Sequence, residues 1–173
     1  MAQMYMPTVP RRTKDDIPNG APGFFKCKGK CDTCRHSEDT EGFVSPWDGR
    51  KWKIRQHITC RTKGVIYLLR CRVHPDLWYV GSTTDLRKRW AGHKSDIKLK
   101  RTSRCKMADH VHTNSHPQDP EYNYLYIVAI EDVRREEQLL SREIYWQANL
   151  GSLFTGLNQR KDLNAALKQR ISY

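Results

Sequence analysis

The chain has 173 residues, 38% of them hydrophobic, which suits one modest core with a small appended module and excludes two full domains. Its 31 Lys and Arg against 19 Asp and Glu leave a formal charge of +12, a self-repulsion that an anionic partner relieves, and nucleic acid is the expected one. The longest apolar run, residues 125–130, falls far short of the ~20 residues that span a bilayer, and no secretory apolar segment is present, so the expected setting is intracellular and reducing, with no membrane partner.

Residues 1–23 carry Pro7, Pro10, Pro18 and Pro22 among polar and basic residues and read as a flexible arm. Residues 24–61 form a Cys-rich stretch, in which the segments 42–45 and 51–54 flank a turn at Pro46-Trp47-Asp48-Gly49 and predict a small hairpin. The β-branched and aromatic runs 65–69 and 77–80 predict a second hairpin. Thr84 or Asp85 then caps a helix to about residue 99, since Leu86, Trp90, His93 and Ile97 recur at helical spacing. A short helix near 106–112, a strand over 124–130 and an amphipathic helix over 133–150, ended by Gly151, follow. Residues 160–171 read as a basic surface helix. This order predicts an α+β layer, a small sheet flanked by helices, and not alternating βαβ winding.

Two places on these helices stand out. Leu139, Glu143, Trp146 and Leu150 share one stripe, so Glu143 is a partly buried carboxylate, either a metal ligand or half of an ion pair. Arg89 and His93 lie four residues apart beside the apolar stripe of the earlier helix, as core residues or as site residues.

Val65-Ile66-Tyr67 and Tyr79-Val80-Gly81 resemble the two signatures of the GIY-YIG endonuclease family. Lys88-Arg89-Trp90 with His93, then Glu143 and Gly156-Leu157-Asn158, follow in that family's order. Val65 stands where the name-giving Gly would be, a small departure in a strand. The resemblance implies a nuclease domain over 62–160, a basic tail over 161–173, and a metal-dependent endonuclease that hydrolyses phosphodiester bonds in DNA, leaving a 5′ phosphate and a 3′ hydroxyl.

It also implies roles. Tyr67 helps deprotonate water, which requires nearby cations, Arg89 and Lys88, to lower a phenol whose ordinary pKa is about 10. Arg89 holds a phosphate oxygen as charge builds, and Tyr79 bonds within the cluster. Glu143 holds one Mg²⁺ or Mn²⁺. His93 is a supporting acid or hydrogen-bond donor, and Asn158 fixes either the site or the backbone phosphate. Arg87, Lys88, Lys94, Lys98, Lys100, Arg101 and Arg104 are the candidate DNA contacts.

Cys27, Cys31, Cys34 and Cys60 can close a tetrahedral Zn²⁺ site, with His36 or His57 as substitutes for Cys60, which makes 24–61 a zinc-binding module. Cys71 and His74, with His110 and His116, resemble the zinc-binding insertion in the endonuclease domain of Penelope-like retroelements, with His112 as a substitute and His74 in place of a second Cys. That resemblance implies a nuclear nuclease that cuts target DNA to prime reverse transcription, with a reverse transcriptase as partner if the chain is an excised domain. The competing reading is a catalytically inactive, zinc-stabilised DNA-binding module.

Overall fold

The computed structural model of the protein describes residues 20–153 and 156–158. Nearly all of the expected arm, the basic helix over 160–171 and the tail over 161–173 lie outside the described residues.

At the centre is a three-stranded antiparallel sheet. Its middle strand β5 (Val65–Cys71) pairs on one side with β6 (Trp78–Thr83) and on the other with β7 (Leu125–Asp132). All seven residues of β5 are buried, so the strand is covered on both faces and reads as a continuous apolar run. Tyr67 faces Gly81 across the β5–β6 ladder, and a Cβ on Gly81 would stand 2.5 Å from the Tyr67 hydroxyl. Only glycine lets the phenol lie flat over the neighbouring strand. On the other side the β5–β7 register slips between Ile66 and Tyr67, a bulge that re-aims the strand at this residue.

Helix α2 (Leu86–Lys98) starts at Asp85, whose carboxylate accepts from the amides of Arg87 and Lys88 at 3.1 Å, so of the two expected caps it is Asp85 that acts. The expected stripe of Leu86, Trp90, His93 and Ile97 is buried. Helix α3 (Lys106–Thr113) packs on α2. The last helix enters through a 3₁₀ turn (Glu136–Gln138) and continues as α4 (Leu139–Asn149), later than the sequence predicts, because Arg134, Arg135, Glu136 and Glu137 offer no apolar face to bury.

Before the sheet lies the Cys-rich region. The strands Gly42–Val44 (β2) and Lys51–Lys53 (β3) form the expected hairpin. A second pair, Gly23–Phe25 (β1) with His57–Thr59 (β4), is parallel and was not legible, since three-residue strands leave no alternation to read. A four-residue turn of helix, Asp32–Arg35 (α1), lies between β1 and β2. The region belongs to the same core as the sheet: Phe43 packs against Trp78 and Trp146, and Trp52 meets Trp146 edge-on at 5.0 Å.

Both open edges of the sheet are sealed. On the β7 side, the Ile127 amide donates to the His36 carbonyl and Ser37 Oγ donates to the Ile127 carbonyl at 2.6 Å. On the β6 side, the Leu157 amide donates to the Trp78 carbonyl, and the Asn158 side chain bonds both the amide and the carbonyl of Val80, at 2.9 and 2.8 Å. Edge groups left bare would recruit another chain. Among the described residues no helix is long and apolar enough to cross a membrane.

Candidate active site and metal centres

β5, β6 and α2 bring Tyr67, Tyr79, Arg89 and His93 together beside the Tyr67–Gly81 rung. The Tyr67 oxygen lies 2.9 Å from Arg89 Nε, which donates to it, and 2.9 Å from His93 Nε2. Arg89 also reaches the Tyr79 hydroxyl, and the Tyr67, Tyr79 and His93 rings sit 5.8–6.2 Å apart between centroids. A cleft of about 170 Å³ opens here, lined by Tyr79, Arg89, His93, Arg104, Cys105 and Lys106 among others.

Burial decides the protonation states. Tyr67 is fully buried, and that burial, followed by the nearby Tyr79 and opposed by Arg89, pushes its phenol well above the ordinary value. The expected lowering by cations does not occur in the resting protein, because one guanidinium does not offset complete desolvation. Lys88, the other expected cation, is exposed on α2. Burial first and Arg89 second push His93 down to about 3, which favours the neutral ring in the resting protein.

Glu143, half-buried on α4, accepts from Ser82 Oγ and from Gln147 Nε2, the latter at 3.0 Å. These neutral donors orient the carboxylate without cancelling its charge. A hard divalent cation that keeps several waters needs one or two such oxygens, so the residues present fit the expected Mg²⁺ or Mn²⁺. Neither Ser82 nor Gln147 was singled out in the sequence, though Gln147 lies one helical turn from Glu143 and that spacing could have found it. Asn158 clamps the backbone of β6, bonding both the amide and the carbonyl of Val80.

The expected DNA contacts divide. Arg87, Lys88, Lys98 and Lys100 are exposed around α2. Lys94 also pairs with Asp32 at 2.5 Å, and Arg101 and Arg104, themselves exposed, both pair with buried Asp96, at 3.1 and 3.2 Å.

Both Cys and His clusters assemble, each with its four candidate ligand atoms within 4.8 Å of one another. Zinc–sulfur bonds of about 2.3 Å at tetrahedral angles put neighbouring sulfurs about 3.8 Å apart. The Cys31–Cys60 and Cys27–Cys34 sulfurs are 3.7 and 3.6 Å apart, so the cradle already has the edge length of a zinc tetrahedron. His36 points elsewhere, its ring tilted against Trp90 with Nδ1 at the Leu125 carbonyl, and His57 bonds the Ala21 carbonyl, so Cys60 completes the set. In the second cluster Cys71 Sγ lies 3.8 Å from His74 Nδ1 and 3.3 Å from His116 Nε2, which is itself 3.2 Å from His110 Nε2. His116 Nδ1 sits on the Asn114 carbonyl, the bond that leaves Nε2 as the lone-pair nitrogen a metal takes. His112, the expected substitute, bonds the Ile97 carbonyl instead.

The model of the family described as GIY-YIG catalytic domain matches residues 63–158. Among solved structures, the chain is similar to the catalytic domain of homing endonuclease I-TevI, with 23% identity over 56% of this chain and 97% of that one at a TM-score of 0.44. It is also similar to a mutant of the catalytic domain of intron endonuclease I-TevI, with 24% identity over 56% and 92% of the two chains at a TM-score of 0.46. No curated protein sequence matches the chain.

Proposed function

The chain belongs to the GIY-YIG catalytic-domain family and is a nuclease, and from that premise we propose that it is a divalent-metal-dependent endonuclease hydrolysing phosphodiester bonds in DNA. The observation that carries this reading is the convergence of a phenol, a guanidinium, a neutral imidazole and an oriented carboxylate from three separate elements, β5, α2 and α4, next to a cleft.

Tyr67 takes the proton of the attacking water as a phenolate, its own proton having first passed to solvent water. Its oxygen accepts from Arg89, and a phenolate forming there is stabilised by that charge in a site from which bulk water is excluded. Arg89, half-exposed to the cleft, also meets a phosphate oxygen as negative charge grows on it. Tyr79 holds the guanidinium in place. Glu143 is the residue that would hold Mg²⁺ or Mn²⁺, which when bound neutralises the phosphate and eases departure of the 3′ oxygen. Ser82 and Gln147 keep its carboxylate in one orientation, and Asn158 keeps β6 in register. Arg87, Lys88, Lys98 and Lys100 supply backbone contacts to DNA.

The catalytic unit spans 62–160, preceded by a zinc-binding module at 24–61, and the two Cys and His clusters each hold a structural Zn²⁺. The likeness of the Cys71, His74, His110 and His116 array to the insertion in Penelope-like elements supports a role in cutting target DNA to prime reverse transcription in the nucleus, with a reverse transcriptase as partner.

Nicking of supercoiled plasmid with Mg²⁺, with Mn²⁺ and with chelator tests the activity. Cutting is expected only with metal, and Glu143→Ala should abolish it while DNA binding persists. Cutting by Glu143→Ala at the wild-type rate would overturn the mechanism, and binding without any cutting by the wild-type protein would leave a zinc-stabilised DNA-binding module.

A further inference from the structure

One row of side chains crosses the central sheet from edge to edge. Ile66 in β5 lies opposite Ser82 of β6 on one side and opposite Glu131 of β7 on the other. Cross-strand partners share a face, so Glu131 and Ser82 point to the same side of the sheet as Ile66. Glu131 reaches that side only through the bulge. Tyr67 faces Ala129, so an unbroken register would set Ile130 against Ile66 and turn Glu131 to the face that carries Tyr67.

Helix α4 lies over this row and is held at both ends of it. Glu143 and Gln147, one turn apart, meet β6: Glu143 accepts from Ser82 Oγ, and Gln147 Nε2 reaches the Val80 carbonyl at 3.4 Å. Arg142 and Trp146, also one turn apart, meet β7. Arg142 grips the Glu131 carboxylate bidentately, with Nε at 2.8 Å and Nη2 at 3.0 Å, and Trp146 Nε1 donates to the same carboxylate. The guanidinium carbon lies 4.3 Å over the centre of the Tyr145 ring. Among the described residues Glu131 is the one carboxylate paired with Arg142, and with side chains 16% and 35% exposed the pair is screened only partly by water.

Arg142 precedes Glu143 in the chain, so a cation stands beside the proposed Mg²⁺ ligand by covalent necessity. Without a partner, that guanidinium would compete with a divalent ion for the Glu143 carboxylate and would repel the ion as well. We propose that Glu131 is a positioning residue for metal binding: it fixes the Arg142 guanidinium at the β7 end of the row and neutralises it there, which leaves the charge of Glu143 to the metal. The inference rests on the reading of Glu143 given above. If Glu131 only tied α4 to the sheet, removing Arg142 would harm the site as much as removing Glu131.

In the test, Mn²⁺ is titrated into zinc-saturated protein without DNA, the unbound ion is followed by electron paramagnetic resonance, and the Mg²⁺ dependence of plasmid cutting is measured alongside. Glu131→Gln keeps the size of the side chain and an acceptor for Trp146 but removes the charge. It should weaken Mn²⁺ binding and raise the Mg²⁺ half-saturation, each about tenfold, the size expected for one uncompensated unit charge near a half-exposed site. DNA affinity and the rate at saturating Mg²⁺ should stay within about twofold. Adding Arg142→Gln to that variant should restore Mn²⁺ binding, and adding Arg142→Lys, which keeps the charge, should not. Glu131→Gln with wild-type Mn²⁺ affinity overturns the proposal, as does the double variant with Arg142→Gln if it shows no recovery. Should Glu131→Gln fail to fold, Arg142→Gln alone decides: Mn²⁺ affinity at least equal to wild type supports the proposal, and a tenfold loss overturns it. Glu143→Ala separates the two readings: unchanged Mn²⁺ binding and cutting by that variant sink the metal role of Glu143, whereas loss of both beside a wild-type Glu131→Gln sinks the Glu131 assignment alone.

Discussion

The two ligand clusters differ in what they hold together. The four-cysteine set gathers α1, the loop after β1 and the end of β4, a region whose strands are three residues long and supply few backbone bonds of their own. The Cys71, His74, His110 and His116 set instead ties the end of a seven-residue strand to an eight-residue helix, both already paired or packed along their lengths. They also differ in charge, since four thiolates around a divalent ion leave a net negative site and one thiolate with three neutral imidazoles a net positive one. A metal matters most where the polypeptide has least regular structure of its own. With zinc in both clusters, the Cys-rich region would therefore depend on its ion more than the sheet does.

The sharpest way to break this comparison is Cys60→Ser. It should remove one of two zinc ions by elemental analysis, lower Tm by roughly 10 °C or more and reduce cutting, because Phe43 and Trp52 of this region pack on Trp146 of the helix that carries Glu143. Position in the sequence alone suggests a detachable module; the shared core argues otherwise. Unchanged melting and cutting with one zinc lost would restore the detachable view. Cys71→Ser should also cost one zinc, with a drop in Tm about half as large, since β5 keeps both neighbours. A larger drop than that of Cys60→Ser would invert the ranking.

A third measurement separates the contact from the metal. Trp52→Ala should keep both ions and cost about 2 kcal/mol, below a fully buried Trp because the ring is only half-buried. Denaturant titration reads this directly, and a neutral result would mean that the zinc module does not brace α4.

The smallest effect expected is in pH dependence. Burial pushes the Cys34 thiol up to about 11; at Cys31 burial is outweighed by the Cys34 amide and the neighbouring Cys60 and Cys34 thiols, bringing it down to about 7. Burial, then the neighbouring thiols, push Cys60 up as well. Zinc must displace several thiol protons in this cluster but only one thiol proton in the other. Chelator competition at pH 6, 7 and 8 should therefore show affinity falling more steeply with decreasing pH at the four-cysteine site. Equal slopes would contradict the ligand assignment.

What could be read from the sequence followed from periodicity. The α2 stripe and the β5–β6 hairpin were legible because each repeats over enough residues, and Glu143 because it interrupts an apolar helical stripe. The parallel β1–β4 pair was not, since its partners lie more than thirty residues apart and neither is long enough to alternate. Environment was illegible too. The sequence places Arg89 near Tyr67 but cannot weigh one cation against complete burial of the phenol, and the structure resolves that balance in favour of burial. The choice of Cys60 over His36 likewise depended on where the Trp90 ring lies.

The Asn158 side chain does for Val80 what a residue of a neighbouring strand would do, offering one acceptor and one donor in the geometry of a ladder rung. In effect a single amide impersonates a fourth strand. Asn158→Ala would thus leave the Val80 amide bare on the outer side of β6, with Gln147 Nε2 still donating to the Val80 carbonyl at 3.4 Å and Leu157 still bonded to Trp78 two residues away. The consequence belongs to colloid behaviour as much as to catalysis: such a variant should form oligomers with rising concentration, visible in light scattering before any change in far-UV circular dichroism.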